Sequence, residues 1–287
     1  MAGDRVAVVQ SARITPYELA IKGFRKACPA DVDRFVLAEQ PFSDIATSIK
    51  NNRPDLILAV GRDALEQIKH HEDIPIIYLL VPNPDPHLTA QPNITGLAMQ
   101  VPPARQLKIF RDILPRITSI GLLYDPGYNA RLVTDIQDAA AGSGIELIVQ
   151  TVQSPRDVPA AIAGLENRID AFWMLPDRTV ITPITLEYLL LFSMKHKIPV
   201  LSFSKKYTQL GALLAVSIDL RDLGRQAGEL ATNIMHNKSI TKAHPPDIRS
   251  AVTTVNRQVA RKLGLNLKKK TMPPKQRINQ AKDKYAE

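Results

Sequence analysis

The sequence predicts an α/β protein made of two lobes, each built on a parallel sheet. Three observations carry that prediction. Short apolar runs alternate with longer amphipathic ones along most of the 287 residues. Several of the runs are near-continuous Val, Ile and Leu, the pattern of strands buried on both faces of a parallel sheet. "PRITSIGLLYD" (115–125) then restarts the order strand, polar loop, long helix, strand with which the chain opens. Two tandem lobes account for that repeat better than one sheet of all the strands.

The strands are expected at "RVAVVQS" (5–11), "DLILAVG" (55–61), "IPIIYLLV" (74–81), "SIGLLYD" (119–125), "IELIVQTV" (145–152), "DAFWMLP" (170–176), "IPVLSF" (198–203), "GALLAVSID" (211–219) and "RSAVTTVN" (249–256). Helices fit between them. "TPYELAIKGFRKA" offers Thr15 as a cap, Pro16 at the first position and Glu18 three residues after the cap. "GRDALEQIKHH" follows the second strand, and a helix ends near Leu114. "NARLVTDIQDAAAGSG" stops at Gly142 and Gly144. "SPRDVPAAIAGLENR", "TPITLEYLLLFSMKHK" and "LRDLGRQAGELATNIMHN" complete the set.

Composition narrows the function. Apolar residues make up 45%, enough for a core, and aromatics only 5%, so that core is aliphatic. The single cysteine, Cys28, excludes an intrachain disulfide and argues against structural zinc. The net charge of +9 is local: residues 257–287 hold ten Lys or Arg against Asp283 and Glu287, a surplus of +8. A basic tail (271–287) on a near-neutral body differs from a basic binding face, so no nucleic-acid partner is expected. No apolar run reaches the roughly 18 residues of a membrane helix.

The common catalytic motifs are missing. There is no GxxxxGK[ST], HExxH or GxSxG, and "GSG" at 142–144 reads as a helix end. His70 and His71 fall at a helix end, and "NIT" (93–95) matches a glycosylation sequon. What recurs is a polar or special residue just after seven of these strands. These are Ser11 with Tyr17, Gly61 with Arg62, Asn83, Tyr124 with Asn129, Asp177, Phe203 and Asp219. In parallel sheets such residues gather at the carboxyl ends, where open α/β sheets bind ligands, here in a cleft between lobes. Asp177 stays open among catalyst, ligand clamp and helix cap, with catalysis weakest because nothing supplies a nucleophile or metal beside it. Asp219 is equally a candidate cap for "LRDLGRQAG". Arg62 is a cation at the already positive amino end of a helix, a favourable place for an anion.

In order, "VVQSARITPYELAIKGF", "PDLILAVGRDAL", "IPIIYLLV", "NITGLAM", "SIGLLYDPGYN", "DAFWMLPDRTV" and "GALLAVSIDLRDLGRQAGELA" resemble the ABC-transporter substrate-binding family that includes tryptophan- and tyrosine-binding lipoproteins. The resemblance runs from about Arg5 to Leu267. It implies two Rossmann-like lobes joined by a three-crossover hinge, the type 1 periplasmic binding protein fold. Lobe 1 is then placed at 1–115 and 219–242, and lobe 2 at 116–218 and 243–270. It implies that Ser11, Tyr17, Gly61, Arg62, Asn83, Tyr124, Asn129, Asp177, Phe203 and Asp219 line the ligand site. It further implies a monomeric, extracytoplasmic, non-enzymatic receptor without cofactor or metal. Such a receptor is periplasmic or membrane-anchored, its signal peptide removed, and it passes an amino acid or related carboxylate to a permease or a sensor. The chain departs from the family at Arg62, where Thr or Ser is common, at "VPNPDP", and at Lys205 and Lys206. Arg62 turns the expected ligand toward one with an anionic group. Two other readings use the same cleft: a signalling or regulatory module, and an enzyme with Asp177 or Asp219 as general base.

Overall fold

The computed structural model describes residues 4–82, 84–237, 248–265 and 267. The chain forms two compact units: the stretch up to Gln100 with Ile218–Ala251, and Val101–Ser217 with the chain from Val252 onward. The backbone therefore passes from one unit to the other three times. The first passage lies earlier than the placement after residue 115, so the helix before "PRITSIGLLYD" belongs to the second unit. The third passage lies later than 242.

In the first unit, β1 (Arg5–Gln10), β2 (Asp31–Val36), β3 (Leu56–Val60), β4 (Ile76–Leu79) and β5 (Ile94–Gly96) form a sheet of order β2-β1-β3-β4-β5. All its pairings are parallel. "LILAV" of β3 is buried at every position, as a central strand covered on both faces must be. β2 sits at the edge, and its "DVDRFV" exposes alternate residues. Helices α1 (Thr15–Ala27), α2 (Phe42–Asn52), α3 (Arg62–Ile68) and α4 (Pro86–Thr89) connect these strands. One core gathers Val9, Ile45, Ile57, Leu65, Ile76 and Tyr78.

The second unit carries α5 (Pro103–Ile113), β6 (Ser119–Tyr124), α6 (Pro126–Ala141), β7 (Glu146–Thr151), α7 (Val158–Ala163), β8 (Ala171–Trp173), α8 (Pro183–His196), β9 (Val200–Ser202), α9 (Lys205–Leu210) and most of β10 (Leu214–Ile218). After α10 (Leu220–Asn237), which lies in the first unit, the chain returns through β11 (Ala251–Val255) and α11 (Arg257–Lys262). The sheet order is β11-β10-β9-β8-β6-β7. Pairings from β10 through β7 are parallel. β11 runs against β10: Asn256 N donates to Leu213 O, and Asp219 N to Ser250 O, so one number rises as the other falls. Trp173 is 1% exposed and meets Phe110 of α5 edge-on at 5.0 Å.

Local signals were met unevenly. Thr182 caps α8 in a capping box with Thr185. Thr15 does not cap α1. It is the first helical residue, Ile14 occupies the cap without a side-chain bond, and Glu18 turns to Arg34 instead. The expected tail, 271–287, lies outside the described residues.

What ties the later segment of the first unit to the earlier one is α10 packed on α1. Glycines make the crossing close. A Cβ at Gly224 would stand 1.8 Å from Ala20 O, at Gly23 2.1 Å from Arg221 O, and at Gly228 2.7 Å from Phe24 O. In the first turn of α10, Asp222 is buried and accepts from Arg225 and Arg249, and Arg249 also pairs with Glu229. Burial opposes its ionisation, but Ser250, Arg225 and Arg249 more than offset that and hold the carboxyl at about 2.

Gly224→Ala should force two backbones apart and lower stability by about 1–3 kcal/mol. Gly142→Ala, where a Cβ meets nothing, should stay within about 0.5 kcal/mol. Urea midpoints of the two variants distinguish them. Because the Asp222 pKa is depressed, its stabilisation is complete above the unfolded value near 4 and is lost as pH falls toward 2. Thermal melts from pH 5 to pH 2 should therefore fall less steeply in Arg249→Gln than in the wild type.

Candidate functional site

β1, β3 and β4 are neighbours, so the residues after them meet at one edge of the first unit's sheet. Ser11 N donates to Val60 O at 3.0 Å. Ser11 Oγ accepts from Ala64 N at 3.1 Å, capping α3 from another strand because the cap residue, Gly61, has no side chain. Tyr17 reaches back from the first turn of α1 and hydrogen-bonds Ser11 through its hydroxyl. Gly61 has φ +95°, and a Cβ there would lie 2.5 Å from both Ser11 Oγ and the Tyr17 hydroxyl, so both backbone conformation and space require glycine. Burial, and then the Asp63 carboxylate, push the Tyr17 phenol up, so it is neutral at physiological pH. Arg62 is exposed and donates to Pro82 O, tying α3 to the loop after β4. Asn83 lies outside the described residues.

Behind this edge lies a polar group that the strand pattern did not single out. Gln10 is 0% exposed. Its Oε1 accepts from Arg34 Nε at 3.0 Å and Nη2 at 2.7 Å, and its Nε2 donates to Ala12 O at 3.0 Å. Arg34 also pairs with Glu18, whose carboxyl it holds below the usual range. The available signal was a glutamine closing an apolar strand, where burial demands partners.

In the second unit, β6 and β8 are neighbours and the loops after them are stitched together. Asp177 is 2% exposed. Its Oδ1 accepts from Thr179 N at 2.9 Å and Val180 N at 3.1 Å, and its Oδ2 from Asp125 N at 2.8 Å and Asn129 Nδ2 at 2.7 Å. Asp125 caps α6 through Gly127 N and accepts from Thr179 Oγ1 at 2.7 Å. Asn129 is buried with non-helical φ/ψ inside α6, bent so that its amide reaches Asp177. Arg178 lies over the Tyr128 ring at 3.9 Å and donates to its hydroxyl. Tyr124 is half-buried at the end of β6.

The structure thus brings Ser11, Tyr17, Gly61 and Arg62 together in the first unit, and Tyr124, Asn129 and Asp177 in the second. The Asp177 carboxylate does not cap α8, which Thr182 does; internal donors reach both of its oxygens and tie the loops after β6 and β8 together. Phe203 is half-buried, meets Tyr207 edge-on at 5.1 Å and packs on the second unit's core. Asp219 accepts from Arg221 N and Asp222 N, each at 3.1 Å, which is the cap of α10. Among the described residues, no group of three His, Cys, Asp or Glu is arranged to hold a metal.

The chain belongs to the ABC transporter substrate binding protein family, whose model matches residues 37–273. A tyrosine-binding protein of Clostridioides difficile is 24% identical over 205 residues, 68% of this chain. The match spans 59% of that relative's length. The ligand-free, open structure of a substrate-binding protein with adhesive properties from Clostridium difficile superposes with a TM-score of 0.76 at 20% identity, covering 96% of this chain and 98% of that one. An ABC domain in complex with L-Trp from Streptococcus pneumonia does so with 0.59 at 19% identity, covering 94% and 97%. The fold is the two-lobed type 1 periplasmic binding protein fold.

Asp177→Ala would leave three backbone N–H groups and the Asn129 amide without their acceptor. A loss of about 3 kcal/mol is expected, because each buried orphan costs on the order of 1 kcal/mol or more. A urea midpoint equal to the wild type's would show that Asp177 does not hold these loops.

Proposed function

We propose that this family member is an extracytoplasmic receptor that captures an amino acid or related small carboxylate, aromatic ligands included, and passes it to an ABC permease. It acts as a monomer and carries out no chemistry on the ligand. The observation that carries this reading is the Ser11–Tyr17–Gly61–Arg62 cluster, assembled at the carboxyl edge of a parallel sheet in a chain of this family. There a neutral phenol and a serine hydroxyl lie against Gly61, and an arginine follows it in the chain. Those groups suit a carboxylate, which takes charge-assisted bonds from a guanidinium and neutral ones from hydroxyls.

The remaining expected residues divide by role. Ser11, Tyr17, Gly61, Arg62, Asn83 and Tyr124 contact the ligand, and Phe203 packs on an apolar part of it. Asn129 and Asp177 hold the loops in place, and Asp219 sets the start of α10. The tyrosine-binding relative and the tryptophan-bound neighbour support an aromatic amino acid as the first class to try.

The test is a thermal-shift and calorimetry series of L-tyrosine, L-tryptophan, L-phenylalanine, small aliphatic amino acids and tyramine. A ligand at 100 times its dissociation constant adds about 2.7 kcal/mol of stability. At least one amino acid should bind, and tyramine, which lacks the carboxylate, should not. Arg62→Ala should weaken the best ligand by about tenfold or more, as loss of a charge-assisted bond does. Absence of binding across the whole series would remove the amino-acid reading.

A further inference from the structure

α8 differs from the other long helices in being apolar nearly all round. Leu189 and Phe192 face the core, yet Ile184 is 81% exposed, Leu191 63% and Tyr188 37%. These three residues stand at i, i+4 and i+7, on one outward face. The end of α9 comes close to α8, since a Cβ at Gly211 would stand 3.6 Å from the Leu190 side chain, and the last residue of α9, Leu210, is 51% exposed. Exposed Glu187 stands on the same side, three residues after Ile184 and four before Leu191, so this is an apolar face carrying a single acid, and such a face marks a surface that something covers.

The surrounding charge says what kind of surface covers it. Lys195 and Lys197 are exposed at the end of α8, and Lys205 and Lys206 in the first turn of α9. From 183 to 211 the only acid is Glu187. The neighbouring Glu166 is engaged by His196 at 2.9 Å. A second copy of this chain would set lysines against lysines. The apolar side chains project from helices, as suits insertion into a yielding layer. At 14 residues α8 is too short to span a bilayer but long enough to lie on one.

We propose that the α8–α9 face of the second unit docks on an anionic lipid surface. Ile184, Tyr188, Leu191 and Leu210 enter the boundary between headgroups and acyl chains, and the four lysines meet lipid phosphates. The contact is weak and reversible, and it orients the receptor at the membrane independently of which ligand it carries.

The full chain is sedimented with vesicles of phosphatidylcholine alone and of phosphatidylcholine with phosphatidylglycerol, at low and high salt. Binding is expected only with phosphatidylglycerol and should weaken with salt. The basic residues beyond 267 would also bind such vesicles by charge, so the exposed-site double variant I184S/L191S is the decisive comparison. It should keep the wild-type urea midpoint and partition about tenfold less. Leu191→Cys carrying an environment-sensitive dye should shift to the blue on these vesicles, Cys28 being buried and protected from labelling. Three results would overturn the proposal: no phosphatidylglycerol-dependent binding; binding unchanged in I184S/L191S with an unshifted dye; or a dimer in solution that I184S/L191S abolishes, which would assign the face to a second copy.

Discussion

The close crossing of α10 over α1 is the contact on which the first unit depends. α10 arrives after the whole of α5 to β10 has been traversed, so no local preference returns it to the first sheet. Backbone-to-backbone approach at Gly23, Gly224 and Gly228 does so, and any side chain at Gly224 would collide with a carbonyl rather than a movable side chain. Dispersion falls off steeply with separation, so helices in such contact gain packing that bulkier residues would forfeit. The edge that carries Tyr17 inherits this precision. α1 begins with the turn that carries Tyr17, and α10 begins with the Asp219 cap and the Asp222 ion network.

The two sheets solve the same problem by different means. In both, neighbouring parallel strands end together and leave loops whose polar groups need partners. The first unit meets the need with one serine oxygen, one phenol and a glycine. The second uses a buried carboxylate that gathers four donors from two loops. A buried charge is tolerable when its lone pairs are filled, and Asp177 meets that condition without any ligand. The second unit's loops are therefore held by internal bonds, whereas the exposed chemistry beside them is the stacked Arg178 and Tyr128 pair.

Much of the fold was legible because buried parallel strands leave a plain trace. "LILAV", "SIGLLY" and "LLAVSI" could hardly be anything else once helices separate them. β2 escaped because an edge strand needs only alternate apolar residues, and the acids of "DVDRFV" hide that alternation. The reversed direction of β11 escaped because strand direction leaves no mark in residue identity. The cluster around Gly61 was legible from position alone: a glycine at a strand end, with polar residues after the neighbouring strand. The role of Asp177 was not. Its partners, Asp125 and Asn129, stand about fifty residues away, and only the pairing of β6 with β8 brings them together. Thr15 and Glu18 had the spacing of a capping box, but Arg34, on another strand, competed for the glutamate with a full charge. The first passage between the units was misplaced for a related reason. α5 carries an apolar face whose partner is unmarked in the sequence, and Phe110 against Trp173 shows that the second unit takes it.

That aromatic pair also decides what light reports about the molecule. Trp173 is the only indole in the chain, and it sits sealed inside the second unit against Phe110. Its emission colour follows the solvation of that core and of no other. The amide signal sums both units, and the described tyrosines are split between them, Tyr17 and Tyr78 in the first and Tyr124, Tyr128, Tyr188 and Tyr207 in the second. Indole emission set against the amide signal therefore weighs one core against the whole chain, and any gap between the two transitions marks a departure from a single cooperative melt.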